Sequence, residues 1–297
     1  MKLKASLLGF TALFTTLCSA NENHIGLLGF ENPLFFKAYY DIVGPSKFTT
    51  DPFDGEKLHF SSGIAELSSF VYFDECHHEG ITLGATYMNS YVGWHNNPAF
   101  HQKTFNSVGL ALGAYSGRVE NWVFKAFVKA AVDTNFDFNN YLLWDLGAYG
   151  IYTLCPGIAL NFGFYAQTGM KVDRVWPVIG FIWDYSDRIR LDAVFPIDLN
   201  LYYRINDHWQ AGVGAQFFRT RNRAGKDEPL KKAIWVYENS GLAFRLNYES
   251  NELTYASVHI GYTFGGRLKL ADEDYDERHH YRFNSAPYAG GEFGVKF

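Results

Sequence analysis

Apolar and polar residues alternate along most of this chain, and the clearest example lies at its C-terminal end. Every second residue from Ala289 to Phe297 falls on one side of an extended strand, with polar or small residues between them. A period of two is that of a β-strand whose two faces meet different solvents. A last strand carrying Phe293 and Val295 and ending on Phe297 is typical of barrels that cross an outer membrane, so we expect the barrel-assembly machinery to bind it.

The same alternation recurs upstream. Between Ile189 and Phe195, apolar residues alternate with Arg190 and Asp192. Comparable alternating segments lie at residues 122–130, 142–148, 158–167, 199–205, 211–217, 242–248 and 258–264. One segment is ambiguous, because Lys125 and Lys129 are four residues apart and also fit a short amphipathic helix. The neighbouring strands favour an extended conformation there.

The lengths of the connections give a second criterion, because barrels in bacterial outer membranes have short inner turns and long outer loops. Six of the seven predicted outer connections are long, namely 265–286, 220–231, 169–176, 133–140, 92–104 and 43–57, whereas Pro196-Ile197 is short. The sequence therefore predicts an all-β, transmembrane, antiparallel up-and-down β-barrel of fourteen strands that begins with a weak strand at 34–42. Twelve strands remain the alternative if that strand is absent or if 189–205 is one bent strand.

The N-terminal region has the features of a secretory signal peptide. Lys2 and Lys4 precede an apolar stretch, and the small residues Ser19 and Ala20 come before a polar turn. We expect residues 1–20 to be the signal peptide, 21–33 to be a periplasmic leader or a small plug in the lumen, and 34–297 to be an outer-membrane barrel.

Composition narrows the class of protein. Aromatic residues make up 18% of the chain, yet it has no run of eighteen or more apolar residues, as a membrane helix would require. The formal charge of −5 argues against nucleic acid as a partner. Cys76 and Cys155 fall in different inner turns about four strands apart, too far for a disulfide, so we expect them to be unpaired and buried or interfacial.

The stretch from Trp176 to Phe218 carries a resemblance. Its Ser-Asp-Arg-x-Arg-Leu, Leu-Tyr-Tyr-Arg-Ile-Asn-Asp and Trp-Gln-Ala-Gly-Val-Gly segments resemble those of uncharacterised bacterial outer-membrane β-barrels that form a domain-of-unknown-function family. Gly261-Tyr262-Thr263-Phe264 followed by Arg267 is similar to the same family. The resemblance implies a fold and a location, and it supplies no ligand or catalytic residue.

The charged residues at inward parity are the first functional candidates. We expect the lumen to be lined by charges of both signs: Lys125, Lys129, Asp145, Asp184, Arg190, Asp192, Arg204, Arg245 and Glu292. These charges suit a porin-like channel for small hydrophilic solutes. The outside of such a barrel would contact outer-membrane lipid. The same charges equally suit a non-conducting structural or surface-interaction barrel in which they pair across the lumen.

An enzymatic function is the weakest hypothesis. His59 and Ser61 have the spacing of a barrel lipid hydrolase, with Glu66 as a conceivable orienting acid. If Leu58 and Phe60 face lipid, however, His59 and Ser61 face the lumen, away from a lipid substrate. We therefore expect no catalytic residue.

No cofactor or metal is expected either. His77-His78 and His279-His280 are adjacent pairs, whose side chains point to opposite sides of an extended chain. Two charged outer loops remain: 219–232 is basic and 265–286 is acidic. They could pair across the mouth, or the basic loop could bind lipopolysaccharide phosphates. Exposed ion pairs are weak, however, so simple solvation of both loops is the default expectation.

Overall fold

The computed structural model describes residues 34–74, 76–134, 141–196, 198–250, 254–276 and 278–296. The predicted signal peptide (1–20), the leader (21–33) and Phe297 lie outside the described residues. No helix in the described part is long and apolar enough to cross a membrane.

Fifteen β-strands account for most of the described chain. They are β1 (Leu34–Lys47), β2 (Lys57–Asp74), β3 (Glu79–Trp94), β4 (Thr104–Ser116), β5 (Trp122–Asp133), β6 (Leu143–Cys155), β7 (Ile158–Gly169), β8 (Arg174–Asp184), β9 (Ile189–Phe195), β10 (Asp198–Arg204), β11 (Trp209–Arg223), β12 (Ile234–Ser250), β13 (Thr254–Ala271), β14 (Arg278–Phe283) and β15 (Pro287–Lys296).

The strands form one closed antiparallel sheet. Each strand from β1 to β13 pairs with the next, and β15 pairs with both β1 and β13. The short β14 pairs with the outer part of β13, next to β15, so β14 and β15 together occupy the fourteenth strand position. The predicted all-β, fourteen-strand antiparallel barrel is confirmed.

The weak first strand is present, and the connections differ from prediction mainly at the outer end. β1 runs to Lys47 instead of ending at residue 42, and β11 runs to Arg223. The predicted outer loop 265–286 is wrong, because β13 continues to Ala271 and β14 forms a hairpin with it. A bulge at Gly265, whose φ is 91°, shifts the register there and reverses the inward parity of the residues that follow.

The outward face of the barrel forms an apolar belt. Its exposed side chains include Leu110, Leu112, Phe162, Phe164, Leu199, Leu201, Val213, Leu242, Phe244, Val258 and Ile260. A bilayer requires such a surface, because hydrocarbon offers no hydrogen-bond partner for polar side chains. For the same reason, backbone groups in the bilayer must find their partners within the sheet.

A charge in this belt should destabilise the barrel in a depth-dependent way. Leu110→Arg lies in the middle of β4 on its outward face and should cost about 2–4 kcal/mol of unfolding free energy in lipid. The matched control is Thr104→Arg, which lies on the same face at the outer end of β4 and should cost at most about 1 kcal/mol. Denaturant unfolding of protein refolded into vesicles measures both values, and equal losses would contradict the proposed orientation in the membrane.

Candidate functional site in the barrel lumen

Ion pairs hold the seam where the barrel closes. Lys37 on β1 lies 2.7 Å from Glu292 on β15, and the Tyr255 hydroxyl on β13 donates to the same carboxylate at 2.6 Å. Farther out, the His259 Nε2 atom of β13 lies 2.8 Å from the Asp41 carboxylate of β1, although β15 lies between these two strands. Side chains on the three closing strands are therefore joined inside the lumen.

Gly290 makes the second of these contacts possible. A Cβ atom built on Gly290 would collide with Asp41 Oδ1 and would lie 2.6 Å from His259 Nε2. The Asp41–His259 pair thus passes directly over this glycine of β15. Both partners are more than nine-tenths buried, so losing the contact would deprive the buried His259 ring of its bond to Asp41, whereas Asp41 would keep the Gln216 amide at 3.5 Å.

Polar side chains also line the wall opposite the seam. The Tyr165 hydroxyl and the Gln167 amide donate to Asp145 Oδ1 at 3.0 and 2.8 Å. Lys129 is buried nearby and its charge acts on Glu66, which is also buried. Charges of both signs therefore meet across the lumen.

The inner half of the lumen near β5 to β10 is densely filled. Arg190 donates to Asp192 at 2.7 Å, and both are less than a tenth exposed. Lys125 is equally buried, Asp184 is half-buried, and Arg204 is exposed at the inner rim. Arg245 contacts the Gln216 side chain, which in turn lies 3.5 Å from Asp41.

A cavity of about 500 Å³ lies between these groups and the outer mouth. Its lining includes Lys37, Asp41, Glu66, Lys129, Asp145 and Arg245. The space is large enough for several waters or for a small solute.

An aromatic core fills the outer mouth. Phe60 on β2 stacks on Tyr237 of β12 with 3.7 Å between ring centroids, and Phe105 on β4 lies 4.9 Å from Trp235 of β12. β12 is not a sheet neighbour of either β2 or β4, so these contacts cross the barrel. The outer part of β12 has thus folded inward against the opposite wall.

Two connections cover this core. We call residues 95–103 and 224–233 the lid loops. The Leu230 N–H donates to the Ala99 carbonyl at 2.9 Å, and the Glu228 carboxylate accepts from the N–H groups of His101 and Gln102 at 2.5 and 3.1 Å. The Tyr141 hydroxyl donates to the Ala224 carbonyl at 2.6 Å. The lid loops therefore lie across the outer end of the cavity, and Gln102 and Gly225 contribute to its lining.

An ion pair joins the two charged outer segments, for which simple solvation is the default expectation and pairing an alternative. Lys232 of the basic segment lies 2.7 Å from Glu273 of the acidic one. On β14, which lies beyond the apolar belt, burial and then the charges of Lys269 and Arg267 lower the pKa of His280. His280 therefore adds no positive charge to this region at neutral pH.

The parity expected for β2 is wrong. Leu58 and Phe60 point inward into the aromatic core, and His59 points outward and is exposed. Ser61 shares the outward face and bonds to the Tyr40 hydroxyl at 2.8 Å. Glu66 is buried at inward parity, on the opposite face of β2, so it does not orient His59.

The cysteines and the histidine pairs also have definite positions. Cys76 and Cys155 are not joined in a disulfide, as predicted, but Cys76 is exposed and not buried. The His77 Nδ1 atom bonds to Asp74 at 2.7 Å. Among the described residues, no group of three or more His, Cys, Asp or Glu side chains is placed to hold a metal ion.

Lys37, Asp41 and His259 are lumen residues that the sequence analysis omitted. Lys37 and Asp41 share a face of β1, and His259 alternates with Val258 and Ile260, so parity offered a signal for all three. By contrast, nothing in the alternation of β11 shows that its outer part enters the lumen.

The chain is similar in sequence to two uncharacterised chlamydial proteins and in structure to two solved proteins. An uncharacterised protein of Chlamydia trachomatis is 22% identical over 279 residues, which cover 88% of this chain and 86% of that protein. An uncharacterised protein of Chlamydia pneumoniae is 21% identical over 238 residues, which cover 80% of this chain and 74% of that protein. The crystal structure of the COG4313 outer membrane channel from Pseudomonas putida F1 matches with 12% identity over 94% of this chain and 100% of that one, at a TM-score of 0.48. A mutant Rh. blastica porin matches with 11% identity over 89% and 100% of the two chains, at a TM-score of 0.31.

A family model described as "Domain of unknown function (DUF6268)" matches residues 73–296. The chain belongs to this family, which confirms the resemblance found in the sequence.

Substituting Gly290 should test the seam. Gly290→Ala places a methyl group between Asp41 and His259 and should lower the unfolding free energy by about 1–3 kcal/mol, the cost of leaving buried polar groups unpaired. Gly291→Ala is the matched control, because its Cβ would point away from the lumen, with its nearest contact, the Ser257 carbonyl oxygen, at 3.1 Å. Unfolding midpoints in lipid measure both changes, and an unchanged midpoint for Gly290→Ala would show that the pair contributes nothing.

Proposed function

We propose that this member of the DUF6268 family lies in the outer membrane as a porin-like channel for small hydrophilic solutes, with its outer mouth gated. The observation that carries the proposal is the polar cavity of about 500 Å³ inside the closed barrel. Charges of both signs line this cavity, and such a lining favours solutes that remain hydrated or carry polar groups. Lys129, Asp145, Arg245 and Glu292 are the proposed filter.

The aromatic core and the lid loops are the proposed gate. In this structure they fill the space above the cavity, so conduction along the axis requires them to separate. The contacts that hold them are side-chain stacking and a few hydrogen bonds, because no strand ladder joins β12 to β2 or β4 in the described part of the chain. A gate of this kind can open without breaking the barrel wall.

A non-conducting structural or surface-interaction barrel is the second candidate. It is favoured by the filled inner half of the lumen, where Arg190 and Asp192 are paired and buried. We propose a non-enzymatic role in either case. The outward C-terminal residues Phe293 and Val295 support the proposed recognition of β15 by the barrel-assembly machinery.

Planar-bilayer recording separates the two candidates. Phe60→Ala combined with Tyr237→Ala removes the stacked pair at the centre of the gate and should convert rare openings into frequent stepwise conductance. Phe244→Ala is the matched control, because it removes an aromatic ring from the lipid-facing side of the same strand and should leave conductance unchanged. Heat-dependent migration on gels confirms that each variant is folded.

If the folded double variant and the unaltered protein are both silent over a range of voltages, the channel proposal fails and the non-conducting barrel is supported.

A further inference from the structure

The barrel wall has a notch at its outer end. β9 and β10 have seven residues each, whereas β8 has 11 and β11 has 15. The outermost pair between β8 and β9 is Ile179 with Phe195, and that between β10 and β11 is Asn200 with Gly214. Beyond these pairs, the outer parts of β8 and β11 face each other without an intervening strand. At about 3.3 Å per residue, the notch is roughly 17 Å tall on the β8 side.

The notch opens within the apolar belt. Val175 on β8 is 70% exposed. Phe195 at the lower edge of the notch and Phe217 on β11 are each about half exposed. Large apolar groups around an opening in the wall indicate contact with the acyl chains of the outer leaflet and not with water.

Side chains alone span the notch. No ladder joins β8 to β11 anywhere in the described residues. Instead, the Arg219 guanidinium lies 4.5 Å from the centroid of the Trp176 ring, and Arg174 lies 2.6 Å from Glu238 on β12. Arg221 donates to the carbonyl oxygen of Thr168 near the end of β7 and to that of Val172 in the turn between β7 and β8.

Cationic side chains outnumber carboxylates around the notch, even though Asp145 and Asp173 also act electrostatically on Arg221. One carboxylate, that of Glu238, accepts contacts of 2.5–3.0 Å from four cationic side chains: Arg174, Arg219, Arg267 and Lys269. Arg221 is 8% exposed, and its Nε–H donates no hydrogen bond to any described residue. A buried, incompletely bonded guanidinium beside this cluster has the chemistry of an anion site.

The lumen cavity reaches the notch. Its lining includes Pro196 of the turn below the notch and Phe217, Arg219 and Arg221 of β11, together with Lys129 and Asp145 deep in the lumen. One continuous space therefore joins the polar interior to the edge of the apolar belt.

We propose that this notch is a lateral portal for an anionic amphiphile of the outer leaflet. The head group binds at Arg219 and Arg221, while the alkyl chain lies along Val175, Phe195 and Phe217. The portal supplies the outer exit that the filled mouth lacks, and to that extent it rests on the proposed channel role. A free anion would satisfy the arginines equally, but it would make no use of the apolar rim.

Photo-crosslinking in vesicles tests the portal. The full chain is refolded into phosphatidylcholine vesicles that contain a long-chain fatty acid with a diazirine in its chain, and adducts are mapped by peptide mass spectrometry. We expect adducts on the inward-facing Gln216 and Thr220, which line the cavity, in addition to the lipid-facing Leu110 and Ile260. Adducts confined to the outer belt would overturn the proposal.

Variants and competitors identify the head-group site. Arg221→Met should reduce the cavity adducts of the fatty acid about tenfold, as expected when a charge-assisted hydrogen bond is lost. The adducts of the matching diazirine alcohol should not change. Arg188→Met, in the exposed turn between β8 and β9, is the control variant and should change neither. Equal losses for the fatty acid and the alcohol would show that Arg221 only supports the wall.

Inorganic phosphate distinguishes a lipid site from a free-anion site. At ionic strength matched with chloride, phosphate should leave the cavity adducts unchanged, and displacement of the fatty acid by phosphate would overturn the amphiphile proposal. The result is separable from conductance. Cavity adducts in a silent barrel would refute the channel and retain the portal, whereas conductance without cavity adducts would do the reverse.

Discussion

Backbone N–H and C=O groups in a bilayer need hydrogen-bond partners, and below the notch this requirement governs the structure because it forces the sheet to close on itself. Closure occurs at β15, which joins β1 to β13 and has only ten residues. Two side-chain bridges strengthen that seam from inside, Lys37 with Glu292 and Asp41 with His259. The second passes over Gly290, so a residue without a side chain is needed where the barrel closes. The polar character of the lumen is thus partly a consequence of closure and does not by itself demonstrate a solute path.

The short β9–β10 hairpin explains why the outer half departs from a simple cylinder. Because the outer part of β11 has no partner on its β10 side, it is free to turn inward, and it carries β12 with it. Each face of the folded-in segment then meets protein. Trp235 and Tyr237 on one face pack against Phe105 and Phe60, while Glu238 on the other face meets Arg174 of β8. Charged residues at lipid-facing parity are thereby paired without entering hydrocarbon.

Sequence alternation predicted the barrel, its strand count and most strand boundaries, because a strand between lipid and a wet lumen has a two-residue period whatever its neighbours. Alternation does not state which face is inward, and β2 shows the consequence. Leu58 and Phe60 look like lipid-facing residues, yet they pack in the aromatic core of the mouth, and His59 takes the outward face. A third environment, apolar but inside the barrel, cannot be distinguished from lipid by hydrophobicity. The inward turn of β11 was beyond prediction for the same reason, since it depends on the length of a neighbouring hairpin.

The two routes out of the cavity differ in what must be disrupted to open them. The axial route requires separating a core that includes Phe60, Tyr237, Phe105 and Trp235, and each fully buried large side chain contributes about 1.5–3 kcal/mol of burial free energy, with roughly 0.5–1.5 kcal/mol more for each ring pair. The lateral route requires parting Arg219 from Trp176 and Arg174 from Glu238, contacts of about 0–1 kcal/mol each where they are partly exposed. It also requires breaking the two hydrogen bonds from Arg221 to backbone carbonyls, each worth about 1.5–3 kcal/mol. The axial barrier is the larger of the two on these figures, which favours the proposed portal at the side of the barrel over its mouth. A solute that can use the side must tolerate hydrocarbon at one end and arginine at the other, and this condition selects amphiphiles.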